Sequence, residues 1–152
     1  MKKALKIALY IVVVFALVQF IPVDRTNPPV QTSNNFAHIF KTPKEVEQIL
    51  RKACYDCHSN ETIYPRYAFV APISWSVKHH INKGRKHLNF SEWGTYNQDL
   101  KEGMLRNSVA DIEQNRMPLA GYIAQHPEAQ LTDQEKQLVI DYLNQILKSG
   151  KY

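Results

Sequence analysis

The sequence predicts an all-α protein, and three observations lead there. Residues 42–152 open and close on Thr-x-x-Glu helix starts, each followed by apolar residues three and four apart. No stretch alternates apolar and polar residues for long enough to suggest a sheet, and Pro65, Pro72, Pro118 and Pro127 punctuate the connections. Of the 152 residues, 44% are hydrophobic and 11% aromatic, enough for the core of one domain and unlike the composition of a disordered chain.

The chain begins on a different pattern. Met1-Lys2-Lys3-Ala4-Leu5-Lys6 is a basic head, and the run Ile7 to Val23 that follows is uncharged and interrupted only by Gln19. At 1.5 Å per residue the run would span about 26 Å as a helix, close to a hydrocarbon layer of about 30 Å. Residues 1–23 are therefore expected to be a membrane helix, acting as a signal anchor or as a cleaved signal peptide. The lysines would stay in the cytoplasm and the rest of the chain would face the periplasmic side of a bacterial inner membrane. No small-x-small cleavage site stands out between Ala16 and Asn27, which favours retention; a buried core helix is the plain alternative. Residues 24–41 turn to Asn, Pro, Thr, Ser and Gln without a sustained period and are expected to be a linker.

The folded part is expected to start at Thr42-Pro43-Lys44-Glu45, with the threonine capping, proline in the first helical position and the glutamate closing a capping box. Val46, Ile49, Leu50, Ala53, Cys54 and Cys57 then form one stripe, which turns the cysteines to the core side. A second helix is expected from Ile73 to Lys83 with Gly84 as its stop, and a third opening at Ser91 or Asn97 and passing Leu100, Met104 and Ile112. The last runs from Thr132-Asp133-Gln134-Glu135 through Leu138, Val139, Tyr142, Leu143, Ile146 and Leu147 to Gly150.

Charge excludes one class of function. The net charge is +5, but Lys2, Lys3 and Lys6 belong to the N-terminal head, and the remainder holds 16 basic against 14 acidic residues. A near-neutral body does not suit a general nucleic-acid binder, which depends on concentrated Lys and Arg. The only cysteines are Cys54 and Cys57, too few for a disulfide framework.

Those two residues carry the chemistry. Cys54-Tyr55-Asp56-Cys57-His58 is C-x-x-C-H, the pattern for covalent attachment of a c-type haem. Two thiols on one helical turn can both reach one edge of a macrocycle to form thioethers, and the adjacent histidine comes under the iron. A thioredoxin-like dithiol would use the same spacing but expects a βαβ setting, and zinc would need a second pair of ligands at metal-site spacing, which His79, His80, His87 and His126 do not supply. Attachment of c-type haem takes place outside the cytoplasm in bacteria, in agreement with the N-terminal signal.

The sixth iron ligand has several candidates. Met117, before Pro118 in a turn-rich segment between helices, suits the distal side, and methionine opposite histidine raises the reduction potential. Met104 is a rival at helical spacing with Leu100, His80 is another, and an open or water-bound position is the third possibility. Trp75, Trp93, Tyr64 and Tyr67 could wall a haem pocket or simply fill the core. Lys78, His79, His80, Lys83, Arg85, Lys86 and His87 form a basic run that reads either as a solvated face or as a contact for haem propionates or an acidic redox partner.

Beyond the motif, the chain resembles the haem-binding domain family of exported bacterial proteins, small single-haem relatives of cytochrome c. The likeness extends from about Val46 to Leu147: Cys54 through Thr62, Tyr64-Pro65, Ala71-Pro72-Ile73-Ser74-Trp75, Gly84-Arg85, Leu88-Asn89-Phe90-Ser91-Glu92-Trp93, and Met117-Pro118 ahead of Tyr122. One departure is Arg66, where members often carry tryptophan. The resemblance implies a cytochrome c-like helical fold in residues 42–152 around one haem c, held by Cys54 and Cys57, with iron ligated by His58 and Met117. The expected function is a one-electron carrier; a small peroxidase-like enzyme or a haem-based sensor are the alternatives. The family name promises haem binding and leaves the redox partner open.

Overall fold

A computed structural model describes residues 2–152, and every regular element in them is helical. In chain order these are α1 (Lys2–Val18), α2 (Phe36–Ile39), α3 (Lys44–Ala53), α4 (Tyr55–His58), α5 (Ile73–His87), α6 (Gln98–Glu113), α7 (Ala120–Ile123) and α8 (Asp133–Ser149). Short 3-10 turns at Thr32–Asn34, Arg66–Phe69, Phe90–Thr95 and Pro127–Ala129 join them.

The last helix forms as its sequence dictates. The Thr132 hydroxyl accepts from the Glu135 backbone at 3.2 Å while the Glu135 carboxylate accepts from the Thr132 N–H at 3.0 Å, and Gly150 closes the helix in the left-handed region at φ 61°. Its buried stripe of Val139, Ile140, Leu143 and Ile146 packs against α3 and α6. Asn97, rather than Ser91, opens α6, accepting from the Leu100 N–H at 2.9 Å.

Two expected helix boundaries are corrected. Pro43, not Thr42, occupies the cap position of α3, because the buried Thr42 hydroxyl pairs instead with the Tyr142 hydroxyl of α8 at 2.9 Å. Gly84 does not stop α5, which runs on to His87; the glycine serves a close helix contact described below.

The aromatic centre of the core draws on a stretch expected to be a linker. Phe36 and Trp93 are both fully buried and meet edge to face, with centroids 5.0 Å apart and planes at 89°. Phe40 and Phe90 complete the cluster around Phe36. Within 24–41, the Asn35 side chain accepts from the Ala37 N–H to start α2, and this single turn delivers Phe36 inward.

The N-terminal run differs from expectation in length. The helix ends at Val18, and Gln19, Phe20 and Ile21 bond back three residues rather than four, ahead of Pro22, which disfavours helical geometry in the residue before it. Among the described residues no helix is long and apolar enough to cross a membrane. No residue of α1 is buried, and it projects from the packed helices.

Phe36→Ala tests whether residues 24–41 belong to the folded unit. The substitution should lower unfolding stability in urea by about 3–5 kcal/mol, the usual cost of emptying a buried aromatic site, whereas a true linker residue would leave the midpoint unchanged.

Candidate cofactor site

The C-x-x-C-H segment sits at a break between helices. Cys54 leaves helical geometry at φ −126° and ψ −40°, ending α3, and its carbonyl then accepts from both the Cys57 N–H (3.2 Å) and the His58 N–H (2.9 Å) to close the single turn of α4. Cys54, Cys57 and His58 thereby border one cavity of about 530 Å³, enclosed also by α5, α6, the segment after α6 and α8. Its inner wall is apolar, with Leu50, Ala53, Phe90, Ile112, Val139 and Leu143.

The imidazole of His58 is oriented from behind. Its Nδ1 lies 3.1 Å from the Leu88 carbonyl oxygen, and since a carbonyl only accepts, the hydrogen is on Nδ1 and the Nε2 lone pair remains for a metal. Burial pushes the His58 pKa below its usual value, against the opposing pull of the Leu88 and Gly84 carbonyls, so the ring is neutral at neutral pH.

The thiols have the opposite character to those of a redox dithiol. Burial pushes Cys54 up to about 12 and Cys57 up to about 11. Reactive cysteine pairs need depressed values, so these are neutral thiols at pH 7. Among the described residues no three of His, Cys, Asp and Glu are grouped to hold an ion by themselves, so the zinc alternative lacks a donor set.

A frame of hydrogen bonds behind the motif fixes it, and spacing alone did not reveal this frame. Asn60 donates to Glu92 and accepts from the Asn89 amide at 2.8 Å, while its own N–H donates to the Ser91 hydroxyl at 3.0 Å. Arg85 reaches in from α5 to the Ser59 carbonyl at 2.8 Å, the Thr62 hydroxyl at 3.0 Å and the Asn27 side chain at 2.7 Å. Thr62 in turn donates to the Asp56 carbonyl at 2.6 Å. Asp56, inside the motif, accepts from the Tyr122 hydroxyl at 2.7 Å, which ties the segment carrying Met117 to α4.

Met117 is delivered by the end of α6. Asn115 takes the left-handed region at φ 54°, its N–H bonds to the Ile112 carbonyl, and the Arg116 N–H bonds to Asp111, the pattern of a Schellman cap. An ion pair between Arg116 and Asp111 at 2.6 Å reinforces the turn. The four sequence-identified residues Cys54, Cys57, His58 and Met117 thus border the same cavity, and so do the rivals Met104 and His80.

Other expectations change. Trp75, Trp93, Tyr64 and Tyr67 do not line the cavity; Phe90 and Tyr122 are its aromatic residues. Trp93 belongs to the core, and Tyr67 bonds His126 at 2.7 Å, on whose ring Tyr122 stacks at 4.4 Å. The basic run is also divided: Arg85 is part of the internal frame, Lys78 faces Asp24 at 3.8 Å, and His79, His80, Lys83 and His87 border the cavity.

An all-helical domain that brings two thiols, an imidazole with a free ring nitrogen and a thioether to one apolar cavity is fitted to hold a flat, metal-bearing cofactor. The model of the haem-binding domain family matches residues 13–145, and the chain belongs to that family. No curated protein and no solved structure matches the chain. The haem that this family binds suits the donors present: His58 can supply nitrogen, Met117 sulfur, and the thiols are un-ionised and free of a disulfide.

Gly84 makes the helix contact behind the cysteines possible. A β-carbon there would lie 2.4 Å from the Cys57 carbonyl oxygen, a backbone atom with no freedom to step aside. Gly-to-Ala in a helix interior ordinarily stabilises by about 1 kcal/mol, but the collision should dominate here and make Gly84→Ala destabilising by about 1–3 kcal/mol. Thermal unfolding read together with haem content checks this, and a variant as stable as the parent would remove the contact from the account.

Proposed function

We propose that the protein carries one haem c, attached through Cys54 and Cys57, and works as a one-electron carrier with His58 and Met117 as axial ligands. In this reading α1 tethers it to the periplasmic face of a bacterial inner membrane. The observation that carries the haem reading is the convergence of both thiols, the His58 ring and the Met117 thioether on a single apolar cavity.

The bound haem would supply the one-electron chemistry of its iron, and the chain supplies position, ligands and environment. The Leu88 carbonyl keeps the His58 hydrogen on Nδ1, which directs Nε2 to the metal and raises its basicity. Met117 contributes a neutral sulfur, a ligand that favours the reduced state and a higher potential. Leu50, Phe90, Ile112 and Leu143 keep water from the inner side of the cavity, which further favours the less charged state of the centre. Asp56 and Tyr122 hold the Met117 segment against α4. Lys83, with the exposed His79, His80 and His87 beside it, gives one rim of the cavity a cation and ring N–H donors suited to propionates or to an acidic partner.

Production with a c-type maturation system tests the attachment. Haem should co-migrate with the chain on a denaturing gel and resist acidified acetone, and joint Cys54→Ala and Cys57→Ala replacement should abolish both properties. Pigment that acid-acetone extracts from the parent protein would overturn covalent attachment. Met117→Ala should remove the absorption band of methionine-ligated ferric haem and lower the potential by on the order of a tenth of a volt, within the roughly 0.8 V that axial ligands command. An unchanged spectrum and potential would transfer the sixth position to another residue, with His80 first in line.

A further inference from the structure

We infer that the haem domain rests directly on the lipid surface, with Phe69, Val70, Ile73 and Trp75 as its interfacial footprint beside the end of α1. The inference depends on the reading of α1 as the membrane tether and adds a second, separate contact to it.

The end of α1 is joined to the domain at one defined point. The Gln19 side chain donates to the Ala71 carbonyl at 3.1 Å and accepts from the Ala71 N–H at 2.9 Å, a two-point pairing between residues 52 apart in the chain. A few residues on, Arg25 donates to the Ala68 carbonyl at 2.8 Å and lies 4.4 Å over the Phe69 ring. The start of α5 is therefore held beside the exit of α1, and the domain cannot swing freely on residues 19–25.

Around that joint several large apolar side chains are exposed. Phe20 is 83% exposed, Ile21 52%, Phe69 60%, Val70 41%, Ile73 49% and Trp75 38%. Phe69, Val70 and Ile73 all fall within two residues of Ala71, the partner of Gln19. Large side chains clustered at one site and left open to solvent mark an interaction surface. Their occupant follows from continuity with α1, which has no buried residue of its own.

Length supports lipid as that occupant. The uncharged part of α1, Ile7 to Val18, covers about 18 Å at 1.5 Å per residue, well short of a hydrocarbon layer of about 30 Å. A short apolar helix draws its flanking groups toward the layer, and the groups flanking its outer end are Phe20, Ile21 and the residues around Ala71. Trp75 and the Arg25 guanidinium beside Phe69 are of the kinds that settle at the headgroup level. The footprint would fix the position of the cofactor cavity relative to the bilayer.

The full chain, matured with haem and reconstituted in phosphatidylethanolamine and phosphatidylglycerol vesicles, tests this. A small fraction of the lipid would bear a diazirine at the glycerol end of one acyl chain. After illumination and peptide mapping, lipid adducts should occur on α1 and on residues 69–75. Joint Phe69→Ser and Ile73→Ser replacement, on exposed positions, should abolish the second set and leave the first. Adducts on α1 alone in the parent protein would overturn the footprint while sparing the tether. No adduct on either segment, with release of the protein by an alkaline wash, would remove the tether and the footprint with it. In a parallel sample treated with a bifunctional diazirine reagent, cross-links joining residues 69–75 of two chains, with no lipid adducts on that segment, would overturn the inference in favour of a second copy of the protein.

Discussion

Where α5 crosses α4, one helix has no side chain and the other presents bare backbone, and the rest of the site depends on that contact. With a β-carbon at Gly84 the Cys57 carbonyl would be met at 2.4 Å, so no other residue permits the two helices to lie so close. The proximity also sets the imidazole. Leu88, whose N–H bonds the Gly84 carbonyl, turns its own carbonyl to His58 Nδ1 at 3.1 Å. A single close packing thus fixes the separation of the helices, the tautomer of His58 and the direction of its free nitrogen.

Polar groups hold this arrangement from the side away from the cavity. Ser59, Asn60, Thr62, Asn89 and Ser91 are all buried, and burying such groups is costly unless their hydrogen bonds are made. Each has a partner within the frame, so the frame rigidifies the loop without leaving a polar atom of these side chains stranded. Arg85 links three segments distant in sequence through the Ser59, Thr62 and Asn27 contacts. The cavity itself remains largely apolar. The division suits a cofactor whose flat body needs a dry wall and whose ligands need firm support.

Much of this was legible in the residues, and the exceptions share a cause. The start of α8 was correct, and Asn97 is the one of the two openings offered for α6 that forms, because each cap depends on atoms three residues apart. The C-x-x-C-H triplet and Met117 were found by spacing and by a turn before proline, and all four border the cavity. Thr42 was misread because its hydroxyl meets Tyr142, a residue 100 positions away, in preference to its own helix. Gly84 was misread as a helix stop because glycine serves both to end helices and to admit a close neighbour, and only the neighbour distinguishes the two. Phe36 stood in a stretch of turn-forming residues whose composition hid one fully buried ring.

By itself the sequence determined the helical class, the ends of the helices with local caps and the set of donors offered to a haem, because these properties reside in short-range spacing and side-chain chemistry. Only the tertiary structure decided which residues stand behind that set: the Leu88 carbonyl at His58, the Tyr122 hydroxyl at Asp56 and the guanidinium of Arg85 at Ser59. Those partners lie 30, 66 and 26 residues apart along the chain. No periodicity encodes such pairings, since hydrogen bonds between distant segments exist only after the helices have packed.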